Sequence, residues 1–363
     1  MEITLSNDQE FFRDTTRKFL ATECPISTVR ALEGNEAGFD ASYWRQGADL
    51  GWCSLLVPEA YGGGTISGRG VVDLTIVADA FGRHVAPGPL LPTNVVAAAI
   101  ARSGTDAQRD EYLAPIVAGE TTAAWCLTVT AAVDGDDYVV SGVASPVEAG
   151  AEAGVLLVTA GTDSGLAQFL VPPDAPGVTI TPLRSLDLVK RFARVEFSDV
   201  RVPGAAAVGT IGHAHDDVDR QLQLALVMQT TEMVAAAETA FDFTVEWAFD
   251  RYSFGRPLAS YQELKHRFAD MKMWLEASHA LATALAREVQ DDASRASETA
   301  SAAKAYIGEY LAELVQDCVQ MHGGIGLTRD HDLHLYLRRV TVGRSTYGLP
   351  ADHRQRVMAL QAG

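Results

Sequence analysis

The hydrophobic periodicity of this chain changes twice, and this limits its possible folds more than any other feature. Up to about residue 118, apolar residues recur at helical spacing. From about Thr122 the sequence becomes a series of short β-rich runs separated by turn residues such as Gly135-Asp136-Asp137. After Val202-Pro203-Gly204 the helical period returns. The pattern predicts an α, β, α order, with domains at residues 1–120, 121–208 and 209–363.

The predicted fold class is α+β. The first domain is expected to be α-helical and to begin with a helix capped near Ser6, with a loop at the breaker cluster of residues 58–64. The β-rich runs favour a small antiparallel sheet or barrel. In the last domain, apolar residues at steps of three and four within residues 264–275 and 307–321 indicate long helices that bury one face. A four-helix bundle explains that pattern.

Composition excludes several functions for this chain of 363 residues. Its formal net charge of −18 argues against binding nucleic acid or an anionic membrane surface. The apolar runs are shorter than the ~18 residues that a membrane span needs, and no basic and apolar leader is recognised at residue 1. The four cysteines lack metal-ligand spacing, so no metal site is expected, and reduced thiols in a cytoplasmic protein are the simplest interpretation. They are Cys24, Cys53, Cys126 and Cys318.

Two motifs in the last domain could carry chemistry. The first, RYSFGRPL, occupies residues 251–258, and the second, QMHGGIG, occupies residues 320–326. An arginine fork suits phosphate oxygens, and glycine lets a ligand approach the backbone closely. Either motif alone is compatible with an ordinary turn between packed helices. Together, in this order, they resemble the C-terminal signature of the acyl-CoA dehydrogenase family.

The resemblance covers nearly the whole chain and implies an FAD-dependent oxidoreductase of fatty acid or steroid β-oxidation. In this family a carboxylate takes the α-proton of an acyl-CoA while the β-hydride passes to flavin N5, which yields the 2,3-enoyl-CoA. The flavin lies between the β-domain of one subunit and the C-terminal bundle of its neighbour in a tetramer, a dimer of dimers. An electron-transfer flavoprotein accepts the electrons. The positions that match the family's FAD contacts are Thr128, Arg251, Ser253, Phe254, Tyr261, Gln262, Gln320, Gly323 and Gly324.

Structural interpretations remain open for several of these residues. Arg251 could be a surface arginine that pairs with Asp250 or Glu246, and Tyr261 could cap a helix. Thr128 could be an ordinary strand residue, since a lone threonine in a strand is more often structural.

The departures from the family are equally informative. Most members follow the Thr128 position with a Glu-Pro-Gly-rich loop that wraps the flavin, and this chain lacks that loop. Pro146 and Glu148 stand where a tryptophan and a threonine usually lie beside the flavin ring. These changes remove half of the usual flavin cradle.

Neither usual position of the catalytic base holds a carboxylate. Tyr347 occupies the position of the glutamate in one branch of the family, and Ala225 occupies it in a second branch. Glu232, two helical turns after Ala225, is a candidate relocated base whose pKa would be raised by burial. The alternative is a buried glutamate bonded to a neighbouring helix or to another subunit.

This combination resembles the subunits that lack the catalytic glutamate in actinobacterial-type heterotetrameric acyl-CoA dehydrogenases. We therefore expect an FAD-dependent acyl-CoA dehydrogenase, or a subunit of one paired with a catalytic homologue, that oxidises an acyl-CoA to its 2,3-enoyl-CoA. An alternative to this expectation is a non-catalytic homologue that completes the FAD site of a catalytic partner subunit. Three alternatives stay open: a homo-oligomer that uses Glu232 as base, a flavin enzyme of the same fold with other chemistry, and a non-catalytic homologue.

Overall fold

The N-terminal region is helical, as its periodicity predicted. The computed structural model describes residues 5–35 and 38–362. The first helix begins after Ser6, whose hydroxyl accepts from the backbone N–H of Gln9 in a capping box. Within these residues the helices are α1 (Asn7–Glu23), α2 (Ile26–Ala31), α3 (Ala41–Asp49), α4 (Gly70–His84), α5 (Leu90–Ser103) and α6 (Asp106–Val117). The breaker cluster before α4 is a loop with a 3-10 turn at Glu59–Tyr61.

The middle region forms one seven-stranded sheet. Its strands are β1 (Ala123–Asp134), β2 (Asp137–Glu148), β3 (Val155–Thr162), β4 (Gly165–Val171), β5 (Val178–Leu183), β6 (Phe192–Pro203) and β7 (Ala207–Val208). The strand order is β5-β6-β2-β1-β3-β4-β7, and among these described strands the pairing of β1 with β3 is parallel while the others are antiparallel. Phe169 and Phe197 are buried in the sheet core. The prediction of an antiparallel β-domain is confirmed, apart from that one parallel pair.

The C-terminal region returns to helix, as predicted. It contains α7 (His215–Asp250), α8 (Gln262–Gln290), α9 (Ala296–His322), α10 (Leu333–Ser345) and α11 (Pro350–Ala362), with a short hairpin of β8 (Tyr252–Ser253) and β9 (Arg256–Pro257) after α7. Asp216 and Asp217 lie in the first turn of α7, where negative charge favours a helix start. α9 packs against α8, α10 and α11.

The chain divides into two compact units that do not follow the sequence in order. The first unit consists of Met1–Arg30, Thr75–Ala86 and Leu226–Gly363, and the second of Ala31–Leu74 and Pro87–Ala225. The helices α4 and α7 therefore contribute residues to both units. The three-domain boundaries predicted from the sequence remain predictions.

Two further findings concern the chain's chemistry and environment. In the part of the chain that the structure describes, no helix has the length and apolar character needed to cross a membrane. The four cysteines are free and buried, and burial raises the pKa of the Cys53 thiol to about 12. Because a thiolate is the reactive form, this thiol is held in its unreactive state.

Candidate functional site

The hairpin after α7 presents the first motif. Tyr252 pairs with Pro257 and Ser253 with Arg256, so Phe254 and Gly255 form the tip, both with positive φ. A non-glycine residue with positive φ is uncommon. The Phe254 side chain is 97% exposed, which is unusual for so large an apolar group. The tip is thus shaped to project an aromatic ring away from the chain.

The remaining hairpin residues support that tip. The Tyr261 hydroxyl donates to the Ser253 carbonyl at 2.7 Å, and the Arg256 guanidinium lies 3.8 Å from the centre of the Tyr261 ring. Gln262 is exposed in the first turn of α8. The predicted contacts Ser253, Tyr261 and Gln262 therefore lie together, with Tyr261 bracing the hairpin.

Trp247 connects the first motif to the second. It lies one turn before Arg251 on α7, and the Arg251 guanidinium is 5.9 Å from the centre of its ring. Trp247 also contacts His322 of the second motif, whose ring is stacked on it with centroids 5.1 Å apart and an interplanar angle of 16°. His322 is 5% exposed, and its Nδ1–H donates to the Cys318 carbonyl at 2.8 Å. Burial lowers the pKa of His322, so a neutral ring is favoured in this stack.

The glycine-rich end of α9 is open. Gly323 has a φ of +65°, and a Cβ added to Gly323 or Gly324 would meet no atom within 4 Å. Gln320, one turn earlier, is exposed. The backbone at this helix end is therefore accessible to a ligand. The structure brings these residues and Arg251 together through Trp247 and His322.

Thr128 marks an irregularity in the second compact unit. The pairing of β1 with β3 shifts register between Cys126 and Val129, and Thr128 lies within that shift with a φ of +67°. Its side chain is exposed. Bulges of this kind redirect a side chain and occur next to active sites.

Glu148, which stands where the family resemblance expects a threonine beside the flavin ring, is part of a buried ion pair. Glu148 and Lys190 are joined at 3.0 Å, and their side chains are only 5% and 13% exposed. The backbone N–H groups of Val189 and Lys190 donate to Asp187, which fixes the segment that carries the lysine. The cavity between these residues and Gly88 holds about 10 Å³.

Neither of the two usual base positions carries a carboxylate, and the carboxylate of Glu232 is already bonded to Arg339. Ala225 is fully buried, and Tyr347 is half-buried with a φ of +56°. The Glu232 carboxylate accepts a hydrogen bond from the Arg339 guanidinium of α10, and both side chains are buried. Glu232 is thus bonded to a neighbouring helix.

Arg339 also caps α4. Its guanidinium donates to the Val85 and Ala86 carbonyls at 3.2 to 3.3 Å. Val85 has a φ of +48°, which a β-branched residue rarely adopts. A cation at a helix C-terminus is favourable, and Glu232 compensates its charge.

Sequence reasoning missed three residues of these sites. Trp247 was detectable, because it lies four positions before Arg251, one helical turn from the end of α7. Lys190 and Arg339 had no local signal, since their partners Glu148 and Glu232 are 42 and 107 residues away.

Two family models match this chain, one described as the N-terminal domain of acyl-CoA dehydrogenase over residues 6–120 and one as its C-terminal domain over residues 217–359. Together they cover well over half of the chain, which therefore belongs to the acyl-CoA dehydrogenase family. It is a flavin oxidoreductase acting on CH–CH bonds, and the family's cofactor is FAD. The family, the fold, the enzyme class and the cofactor predicted from the sequence are confirmed.

Particular relatives are similar along almost their whole length. The chain is 28% identical to acyl-CoA dehydrogenase IpdE2 of Mycolicibacterium smegmatis over 357 residues, which are 98% of this chain and 99% of the relative. It is 28% identical to a chain of the ChsE4–ChsE5 complex from Mycobacterium tuberculosis, with a TM-score of 0.90 and coverage of 100% and 99%. It is 29% identical to a chain of a Tcur3481–Tcur3483 steroid acyl-CoA dehydrogenase variant, with a TM-score of 0.89 and coverage of 98% of each chain.

Proposed function

We propose that this chain is one subunit of a two-chain FAD-dependent acyl-CoA dehydrogenase. The enzyme oxidises an acyl-CoA to its 2,3-enoyl-CoA by loss of the α-proton and of the β-hydride. FAD, when bound, accepts the hydride and thereby supplies the redox chemistry. The chain's own residues bind the diphosphate and adenosine end of FAD, while a homologous partner subunit supplies the carboxylate that takes the proton.

The observation that carries this proposal is the contrast between the two compact units. In the first, the Arg251 guanidinium is exposed, which suits phosphate oxygens, and the backbone at Gly323 is open to close approach by an adenosine. In the second, the buried ion pair of Glu148 and Lys190 fills the ring-side position. The residues fit one end of FAD and do not fit the other.

The chemistry of the base positions supports the same division. A general base for an α-proton needs a group matched in pKa and free to accept. Ala225 has no such group, and Tyr347 carries a phenol rather than a carboxylate. Glu232 is committed to Arg339. A homo-oligomer with Glu232 as base would have to break that buried pair.

The relatives support the substrate class and the partner, and the buried thiols support the location. Two of the similar structures bear paired names, ChsE4–ChsE5 and Tcur3481–Tcur3483, and the latter is a steroid enzyme of this family. We infer a bulky acyl-CoA such as a steroid side-chain or ring-fragment thioester, and an electron-transfer flavoprotein as acceptor. The buried free thiols support a reducing, cytoplasmic location.

The first experiment counts FAD per chain. The chain is purified alone and after co-expression with its nearest homologue, and flavin is released and quantified. We expect little FAD in the chain alone and about one FAD per two chains in the complex. Stoichiometric FAD in the chain alone would overturn the two-chain proposal.

A second arm tests the phosphate-side residues in the complex. Arg251→Leu is expected to lower the FAD content several-fold, because a guanidinium bonded to phosphate is removed. Arg256→Leu is the matched control, since Arg256 lies in the same hairpin but is stacked on Tyr261. Equal losses from both variants would indicate damage to the hairpin rather than a lost phosphate contact.

A further inference from the structure

A cavity in the second compact unit belongs to none of the sites described so far. It holds about 270 Å³ and lies between the C-terminal end of α5 and the N-terminal end of α7, beside the loop that precedes α4. All of its lining residues fall within Ala31–Leu74 and Pro87–Ala225. Among the described residues that line it, none matches one of the family's FAD contacts or base positions. A ligand in this cavity would therefore use none of the residues assigned to FAD or to proton abstraction.

The interior of the cavity is apolar and has room for a small ligand. Ala98, Ala99 and Ala101 of α5 leave the space open, and Leu56 and Leu224 contribute to the rest of its apolar lining. A dry apolar cavity of ~150 Å³ holds a benzene molecule. This cavity therefore has room for a ligand with an apolar body and about ten non-hydrogen atoms.

The charged side chains that line the cavity carry an excess of positive charge. They are Arg102, Asp217 and Arg220. The Asp217 carboxylate accepts from the Ser103 hydroxyl at 2.8 Å, whereas the Arg102 guanidinium lies 3.9 Å from it, too far for a hydrogen bond. In the described part of the chain the Arg102 guanidinium donates no hydrogen bond, and its side chain is 55% exposed. Two cations and one carboxylate leave one positive charge for a ligand to compensate.

We propose that this cavity binds a small amphipathic carboxylate, with its apolar body among the alanines of α5 and its carboxylate on the Arg102 guanidinium. Ligand sites are typically apolar, with a few polar groups that fix the orientation of the ligand. A guanidinium fork matches the two oxygens of a carboxylate. A single negative charge suits the single excess positive charge, whereas Asp217 repels a doubly charged phosphate.

The ligand class is therefore a medium-chain fatty acid or an arylalkanoic acid. Such an acid carries no CoA, so its binding does not depend on the acyl-CoA dehydrogenase activity proposed above. Isothermal titration calorimetry of the full chain with octanoate, which has about ten non-hydrogen atoms, is the test. We expect one saturable site with a Kd of about 0.1–1 mM. Octan-1-ol keeps the apolar body but lacks the charge, and should bind about 10-fold more weakly. Octyl phosphate should also bind more weakly than octanoate.

Two variants test the location of the site. Ala98 is half-buried and helical, so Ala98→Leu should fill the cavity and fold normally. We expect it to weaken octanoate binding at least ~10-fold with an unchanged melting temperature. Ala101→Leu fills the same cavity from the next turn and replaces Ala98→Leu if that variant does not fold.

Arg102→Leu tests the carboxylate contact. It should weaken octanoate binding about 10-fold and leave the binding of octan-1-ol unchanged, because only the charge-assisted hydrogen bonds are lost. Arg45→Leu is the matched control, since Arg45 is an exposed cation of the same compact unit that does not line the cavity. It should bind octanoate as the wild type does.

Each part of the proposal has an outcome that contradicts it. A titration without a saturable octanoate site would overturn the binding itself. Equal affinities for octanoate and octan-1-ol, or a higher affinity for octyl phosphate, would overturn the ligand class. Wild-type binding in the folded alanine variants, or equal losses in Arg45→Leu and Arg102→Leu, would overturn the location. The count of FAD per chain tests the proposed function separately, so the two proposals can fail independently.

Discussion

Glu232 and Arg339 are both buried, so each charge depends on the other for compensation. Removing one partner of a buried pair leaves an uncompensated charge, which is much more costly than the pair itself is favourable. The Arg339 guanidinium also donates hydrogen bonds to the Val85 and Ala86 carbonyls. The pair therefore belongs to the packing of α4, α7 and α10.

Glu232→Gln tests that assignment. We expect the free energy of unfolding to fall by about 3–5 kcal/mol, because Arg339 loses its counter-charge. Urea denaturation of the purified chain measures the change. The double variant Glu232→Leu with Arg339→Met is the control, and a double-mutant cycle should show strong coupling between the two sites. A Glu232→Gln protein of wild-type stability that has lost all activity would instead support Glu232 as the base.

At the scale of elements, a second charge network joins four helices of the first unit. Asp79 on α4 is bonded to Arg17 of α1 at 2.6 Å and to Arg83 at 3.0 Å. Arg83 continues to Glu238 of α7, and Glu238 is bonded to His279 of α8 at 3.2 Å. The hydrogen bond from His279, together with the charge of Arg83, lowers the pKa of Glu238 from 4.5 to about 2.

This network predicts that the folded protein loses stability as the pH falls. A carboxylate with a lowered folded-state pKa stabilises the protein above its unfolded pKa, and that contribution is lost as pH falls. For Glu238 the window runs from about pH 4.5 down to about pH 2. We expect Glu238→Gln to lower the free energy of unfolding by on the order of 2 kcal/mol at pH 6. Between pH 4.5 and pH 2 the free energy of unfolding of this variant should change less with pH than that of the wild type.

Thermal unfolding at a series of pH values measures the profile. Glu246→Gln, an exposed change on the same helix, is the control and should leave the profile unchanged. Parallel wild-type and Glu238→Gln profiles below pH 4.5 would contradict the prediction.

The elements themselves could be predicted because their signals are local. The capping residues of α1 and the β-rich runs of the sheet act over a few residues, so periodicity locates them. The left-handed φ of Thr128 and the ion pair of Glu148 with Lys190 depend on tertiary partners. The sequence therefore predicted the helices and strands, but neither the left-handed conformation of Thr128 nor the Glu148–Lys190 pair, and its assignment of the site residues remains a prediction.

At the scale of the whole molecule, each compact unit is built from stretches of chain that are not consecutive in the sequence. The periodicity predicted a C-terminal domain at 209–363, but the first compact unit also contains Met1–Arg30 and Thr75–Ala86. Gly82 of α4 approaches α7 so closely that an added Cβ would lie 2.2 Å from the Glu232 carbonyl oxygen. A local sequence pattern cannot predict this contact, because Gly82 and Glu232 are far apart in the sequence.

A fragment of residues 209–363 tests this division. We expect it to be helical but to unfold without a cooperative transition, because Arg339 lacks its carbonyl partners and the surface that Gly82 contacts is exposed. Circular dichroism and thermal unfolding measure both properties, with the full chain as reference. A peptide of residues 70–88 added to the fragment should restore part of the cooperativity. A sharp transition in the fragment alone would contradict this expectation.

The interleaving of the two units also determines the order in which a nascent chain can fold. Chains emerge from the ribosome N-terminus first, and domains generally fold as units. The second unit, which ends at Ala225, can be completed while the last third is still being made. The first unit includes α1 but draws most of its residues from Leu226–Gly363, so it cannot be completed until that segment has been made. Premature termination in the last third would therefore release a chain with one complete and one incomplete unit, a ready target for chaperones and proteases.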